Sequence, residues 1–346
     1  MQRLVIGIPA RNEASTIADL VGALEQGAVM LGEGVRCELV LAYQPGDDDT
    51  LARWEGHRFR LSNRVLHGPH GDVGKGRNVK RLISHAREQG AHLLLVDGDL
   101  GSYHPAAVSA FGNYRQLARG GLVLPLWCRP HGEGNSTDFL ACPLIYSCFG
   151  ARVRQPLAGQ RLLSTSLLAT LDDDRLPDDY GIDVALTVHA LAENRPVDQV
   201  LIPFPDHEAG TNSAEIMADV ARTLLGLGSE LRRVSRTDVN WPDRWWHGQA
   251  RAAPAPRSLL AQMDAGSDAS SSLLDAAPDQ VRDRWCQAVA AAVRLTREGA
   301  DVGRVATDLV DAFITHAEYR RRLDGDLDRS EAYVADLGRR MAALLK

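Results

Sequence analysis

Short apolar runs alternate with amphipathic stretches through the first half of the chain. Residues 4–8 (Leu-Val-Ile-Gly-Ile) predict a first strand. Residues 15–25 predict the helix after it, with Ser15 or Asn12 available as its cap. A second strand is expected at 38–43, a short third at 65–67, a helix at 76–89, and a buried fourth strand at 92–96 that ends at Asp97. Farther along, 121–126 predicts a strand, 183–192 a helix, and 199–203 a strand that delivers Asp206 and His207. This alternation is the pattern of βα units around a mostly parallel sheet, an α/β Rossmann-like fold. Near residue 213 the period changes to about 3.6. Helices are expected at 215–234, 280–296, 302–323 and 330–344, with 252–278, rich in Ala, Pro, Ser and Asp, as a loop. The expected organisation is therefore an α/β domain over 1–212 and a helical region over 213–346.

In an open parallel sheet, functional groups gather beyond the carboxyl ends of the strands. Residues 9–13, 43–49 and 97–99 all stand at such ends, so three segments distant in sequence are expected to line one crevice. Composition narrows the chemistry further. The net charge is −6, from 39 Lys and Arg against 45 Asp and Glu, and no basic run could neutralise a phosphate backbone, so nucleic acid is not an expected partner. The five cysteines show no paired CxxC spacing and read as reduced, mostly buried thiols. No apolar stretch approaches the roughly twenty residues of a membrane span. Nor does the start of the chain have the form of a secretory signal. A soluble, cytoplasmic protein is expected.

Two carboxylates one residue apart, Asp97 and Asp99 around Gly98, leave a buried strand at the crevice edge. Hard oxygen ligands in that arrangement suit Mg²⁺ or Mn²⁺, which can also hold a diphosphate. Alone, such a triplet is more often a polar turn at a strand end, so its surroundings decide. Val73-Gly74-Lys75-Gly76-Arg77-Asn78 precedes a helix, where glycines permit close backbone approach and Lys75 offers charge to a phosphate. It is not a Walker loop, because Gly76 follows the lysine where Ser or Thr is required. Pro9-Ala10-Arg11-Asn12-Glu13 leaves the first strand with polar groups for a base and ribose. His207, after a later strand, is a fourth element that could complete a metal shell.

The order of these motifs over about residues 4–208 resembles the retaining nucleotide-sugar glycosyltransferases of the glucosyl-3-phosphoglycerate synthase and mannosylglycerate synthase type, which have the A-type glycosyltransferase fold. The resemblance assigns nucleotide-sugar contacts to Pro9, Arg11, Glu13, Tyr43, Gln44, Gly74, Lys75, Asp97 and Gly98. It assigns the metal to Asp99 and His207 with Asp97. Arg129-Pro130 and Ser136-Thr137-Asp138 are similar to acceptor segments of the family, and Gln155-Pro156-Leu157-Ala158-Gly159-Gln160 stands where the family has Gln-Pro-Leu-Gly-Gly-Glu. Leu157 and Gly159 then fall on the sugar side, and Arg129, Asn135, Thr137 and Ala158 on the acceptor side. Tyr180-Gly181-Ile182-Asp183 matches a further signature and makes Asp183, with Lys75, the expected catalytic pair.

Two departures bear on the substrate. Ala158 and Gln160 replace a glycine and an acid, and Gly134 and Asn135 occupy the place of an arginine that anchors the acceptor's acid group in the family. The resemblance implies transfer of a glucose or mannose unit, from UDP-glucose or GDP-mannose, to a small polar acceptor such as glycerate or 3-phosphoglycerate, with retention, in a possible homodimer. Two rival classes are a sugar-phosphate nucleotidyltransferase and a non-catalytic sugar-nucleotide-binding protein. The first would normally carry a glycine-rich loop directly after the first strand, where this chain has residues 9–13. The second would not need the full metal set.

Overall fold

The computed structural model of the chain describes residues 1–113, 119–127, 136–203, 213–227, 239–240, 278–310 and 327–345. In chain order the elements begin with β1 (Gln2–Ala10), α1 (Ile17–Val29), β2 (Val35–Tyr43), α2 (Thr50–Glu55), β3 (Ser62–His67) and α3 (Lys75–Glu88). Then come β4 (His92–Leu95), α4 (Ala106–Gly112), β5 (Leu122–Leu126), a π-helical turn (Ser136–Ala141) and α5 (Cys142–Phe149). β6 (Arg161–Leu163), α6 (Thr165–Leu168), α7 (Ile182–Ala192), β7 (Val197–Leu201), α8 (Ser213–Gly226) and β8 (Val239–Asn240) come next. The C-terminal helices are α9 (Pro278–Arg297), α10 (residues 302–310) and α11 (Leu327–Leu344).

The strands form one eight-stranded sheet in the order β3-β2-β1-β4-β6-β5-β7-β8. All neighbours are parallel except where β6 pairs with β4 and with β5. β1 and β4 are buried on both faces, as a parallel strand covered by helices must be, which is why both read as continuous apolar runs. The chain runs outward from β1 through β2 to β3 and then returns to β4 on the other side of β1. The order therefore reverses between β1 and β4, the place where a doubly wound sheet opens a crevice at its carboxyl edge.

Contacts divide the chain into two compact units. The first contains residues 1–127 and 157–208 with β8, and so all of the sheet. The second joins residues 128–156 to the helices from α8 onward. Within it Trp285 of α9 is buried and its Nε1–H donates to the Phe139 carbonyl at 2.8 Å. Leu337 and Met341 of α11 are also buried, and α11 packs on α5. No helix among the described residues is long and apolar enough to cross a membrane. The four described cysteines are buried thiols that form no disulfide with one another.

Several ends differ from the sequence expectation. β2 starts at Val35, and β7 occupies Val197–Leu201 in place of 199–203. Neither Ser15 nor Asn12 caps α1, which starts after Thr16. Asn12 takes a left-handed backbone (φ 64°), and its Oδ1 accepts the Asp47 N–H at 2.8 Å, so its capping group is spent on the neighbouring loop. The Thr16 hydroxyl donates instead to the Gly98 carbonyl at 2.6 Å, tying the start of α1 to the acidic turn after β4.

Candidate active site

The loop after β1 is built by short polar side chains of the loop after β2. The Glu13 N–H donates to Thr50 Oγ1 at 2.7 Å and the Ala14 N–H to Asp48 Oδ2 at 2.8 Å. These bonds, with Thr16 on Gly98, bring Glu13 beside the Asp97-Gly98-Asp99 turn. Burial, joined by the charges of Asp99 and Asp97, pushes the Glu13 carboxyl up to about 7. Glu13, Asp97 and Asp99 thus form one acidic group at the edge of the crevice.

Lys75, the first residue of α3, reaches into this acid cluster. Its Nζ lies 2.8 Å from Asp97 Oδ1 and 2.8 Å from Asp183 Oδ2. Burial works against the ammonium, but Asp183 and then Asp97 outweigh it and hold its pKa above the ordinary lysine value. α3 joins the parallel strands β3 and β4 and therefore starts at the carboxyl edge of the sheet, and the shared contact with Lys75 places the first turn of α7, which carries Asp183, there as well. Asp183 is buried, at 4% exposure.

The glycines around Lys75 have a structural task. A Cβ at Gly74 would overlap the Asp178 carbonyl, and one at Gly76 the Pro177 carbonyl. The glycines thus let the start of α3 lie close against the segment that leads into α7. Further along α3, Lys80 Nζ donates to the Leu176 carbonyl at 3.0 Å, and the Arg87 guanidinium pairs with Asp173 at 2.8 Å. The backbone that carries Lys75 is thereby fastened to the one that carries Asp183.

Arg161 is a site residue that sequence reasoning missed. β6 is antiparallel, so its first residue, opposite Leu95, stands at the edge where the parallel strands end. The guanidinium is fully buried. Nη2 lies 3.1 Å from Asp183 Oδ1, an ion-pair contact without hydrogen-bond alignment, and Nη1 donates to Thr187 Oγ1 at 3.3 Å and to the Asp183 carbonyl. Nη2 also donates to the Ala158 carbonyl. One guanidinium thus joins β6, the 157–160 loop and the first turn of α7. The only sequence signal was a charge at the head of the apolar run Leu162-Leu163, too short for periodicity to register. Tyr180 also faces this cluster: burial raises its phenol, and Lys75, Asp97, Asp99 and Glu13 act on it.

The remaining expected residues that are described stand at the carboxyl ends of β1 and β2, in the 157–160 loop and in the second unit. Pro9 is buried within β1, whereas Arg11 is exposed. Tyr43 is packed into the core with its ring edge-on to His67, at 6.2 Å between centroids. Gln44 is buried, and its Nε2–H donates to the Pro69 carbonyl at 2.8 Å. Leu157 is half-buried, Ala158 belongs to the core, and Thr137 is buried in the second unit. Arg129, Asn135 and His207 lie outside the described residues, as do Asp206 and Gly134.

Gly159 sits against the acidic turn, and a Cβ there would overlap Asp97 Oδ2. Because its backbone is not in the left-handed region, Gly159→Ala is expected to fold normally and to push the Asp97 carboxylate aside. Mn²⁺ binding, measured by calorimetry, should weaken roughly tenfold while thermal unfolding without metal stays unchanged. Unchanged binding would mean that Asp97 has room to yield without consequence.

Asp97 and Asp99 present hard carboxylate oxygens from one strand end, a donor set that fits Mg²⁺ or Mn²⁺. Among the described residues no third His, Cys, Asp or Glu joins them as a ligand cluster.

No family model matches the chain, and no curated protein matches it. Solved structures do. Glucosyl-3-phosphoglycerate synthase from Mycobacterium tuberculosis, in complex with Mn²⁺, UDP-glucose and phosphoglyceric acid, aligns with a TM-score of 0.53 at 22% identity, over 66% of this chain and 80% of that one. The complex of the same enzyme with Mn²⁺, UDP and glucosyl-3-phosphoglycerate aligns with a TM-score of 0.54 at 23% identity, over 66% and 80%. Its complex with Mg²⁺ and UDP gives 0.54 at 22%, over 66% and 79%. The mostly parallel sheet flanked by helices, with the acidic turn at its switch point, is accordingly the A-type glycosyltransferase fold.

Proposed function

We propose that this protein is a metal-dependent glycosyltransferase that moves a hexose from a nucleoside diphosphate sugar to a small acidic acceptor of the glycerate or phosphoglycerate class. The observation that carries the reading is the meeting of Asp97, Asp99, Lys75 and Asp183 at the switch point of this sheet. Departure of a nucleoside diphosphate needs positive charge at its oxygens, and this crevice combines a cation-attracting acid pair with a lysine. A divalent ion held by Asp97 and Asp99, with His207 as the further ligand by resemblance, would supply Lewis-acid stabilisation of the leaving diphosphate.

The chain's own residues do the rest. Lys75 offers its ammonium to the phosphate oxygens. Glu13, in the loop that follows β1, is assigned to the nucleoside. Asp183 has a cation on either side of its carboxylate, which suits it to orienting Lys75 and the sugar more than to attacking the anomeric carbon. That favours retention without a covalent protein intermediate. UDP-glucose is the first donor to test because the similar structures hold UDP or UDP-glucose. GDP-mannose is the alternative.

A screen of UDP-glucose and GDP-mannose with Mn²⁺ or Mg²⁺, with and without glycerate and 3-phosphoglycerate, tests the reading through thermal stabilisation and nucleotide release. The expected result is metal-dependent stabilisation by one donor, with turnover once the acceptor is added. Binding of neither donor under any condition would overturn it.

A further inference from the structure

Lys75 makes two contacts of equal length, yet its partners differ in what else they have. Asp183 is held from the opposite side by the buried Arg161, through both its carboxylate and its carbonyl. Asp97 belongs to the acid pair that a divalent cation would use, and the oxygen facing Lys75 is Oδ1. A metal at the usual distance of about 2.1 Å from that carboxylate would bring a double charge close to an ammonium already 2.8 Å from Oδ1. The two cations would then repel each other across one carboxylate.

The backbone of Lys75 is pinned, since Gly74 and Gly76 lie against residues 177–178. Its four-carbon side chain is the part able to move. From these contacts we infer that Lys75 is an exchangeable counter-charge for the metal carboxylate: a cation arriving at Asp97 moves the ammonium off that oxygen and toward the diphosphate, while Arg161 keeps Asp183 in place. The inference rests on the donor site proposed above and adds an order to it. Metal and lysine compete for Asp97 when no nucleotide is bound, and cooperate once a diphosphate gives the ammonium a new partner.

Competition and cooperation leave effects of opposite sign in one variant. In Lys75→Met, Mn²⁺ alone, titrated by electron paramagnetic resonance of the free ion, should bind about tenfold tighter than in the wild-type protein. UDP, titrated by calorimetry at saturating Mn²⁺, should bind at least about tenfold more weakly. Lys75→Gln, which keeps a hydrogen-bonding group without the charge, should shift both constants in the same directions and serves if the methionine variant does not fold. Asp99→Asn is the control for the metal site. Unchanged or weaker Mn²⁺ binding in the Lys75 variants, with Mn²⁺ binding abolished in Asp99→Asn, would overturn the exchange and leave the donor site standing. Mn²⁺ binding indifferent to Asp99→Asn would overturn the donor site and the exchange together.

Discussion

Asp99→Asn should lose metal-dependent sugar transfer by a factor of about a thousand or more while leaving the unliganded fold intact. The two halves of this expectation come from the same electrostatics. Asp99 lies in a crowded acid group, where its charge, with that of Asp97, adds to burial in raising Glu13. An amide of the same shape removes repulsion, so thermal unfolding without metal should stay level or rise slightly. With the carboxylate gone, however, the cation has lost half of the acid pair, and the leaving diphosphate departs without its main charge partner. Calorimetric titration of Mn²⁺ followed by UDP, together with initial rates on the productive donor, checks both halves. Retention of full turnover by the variant would show that the acid pair is not the metal site.

Arg161→Met should cost roughly 3–5 kcal/mol of folding stability, read from urea unfolding, because it leaves a buried carboxylate with one partner in place of two. The side chain is fully buried and serves Asp183, Thr187 and the Ala158 carbonyl together, so the loss is both of charge and of hydrogen bonds. Arg161→Lys should recover only part of it, since an ammonium lacks the planar fork that reaches the Ala158 carbonyl and α7 at once. A useful reference is Arg87→Met: that guanidinium also pairs with an acid, Asp173, but both partners are partly exposed, and about 1 kcal/mol or less is expected from the ion pair, beside the lost hydrogen bonds to the Leu168 and Leu171 carbonyls. If Arg161→Met and Arg87→Met proved equally mild, the buried guanidinium would not be what holds the 157–160 loop and α7 together.

Both predictions turn on residues that differ in how visible they are along the chain. Asp97 and Asp99 can be read directly, because a buried parallel strand announces itself as an unbroken apolar run, and polar residues just past its carboxyl end must lie at the crevice edge. The β-α alternation through residue 112, the helix that starts at Lys75, and the helical character of the C-terminal third are local patterns too, with periods that the sequence carries. Arg161 is different. Its importance depends on β6 running against its neighbours, and three residues hold no record of their direction. The same holds for Gly74 and Gly76: a Gly-Lys-Gly loop advertises freedom of approach, but only the folded chain decides that the approach is to the backbone at 177–178. Likewise, a lysine and two aspartates more than twenty residues apart say nothing about one another until the starts of α3 and α7 and the end of β4 converge. Local sequence was enough for each strand, helix and charged group that its immediate neighbours specify. Strand direction, the pairing of distant charges and the union of residues 128–156 with the C-terminal helices were left to tertiary packing, because these are contacts between segments and no local period encodes them.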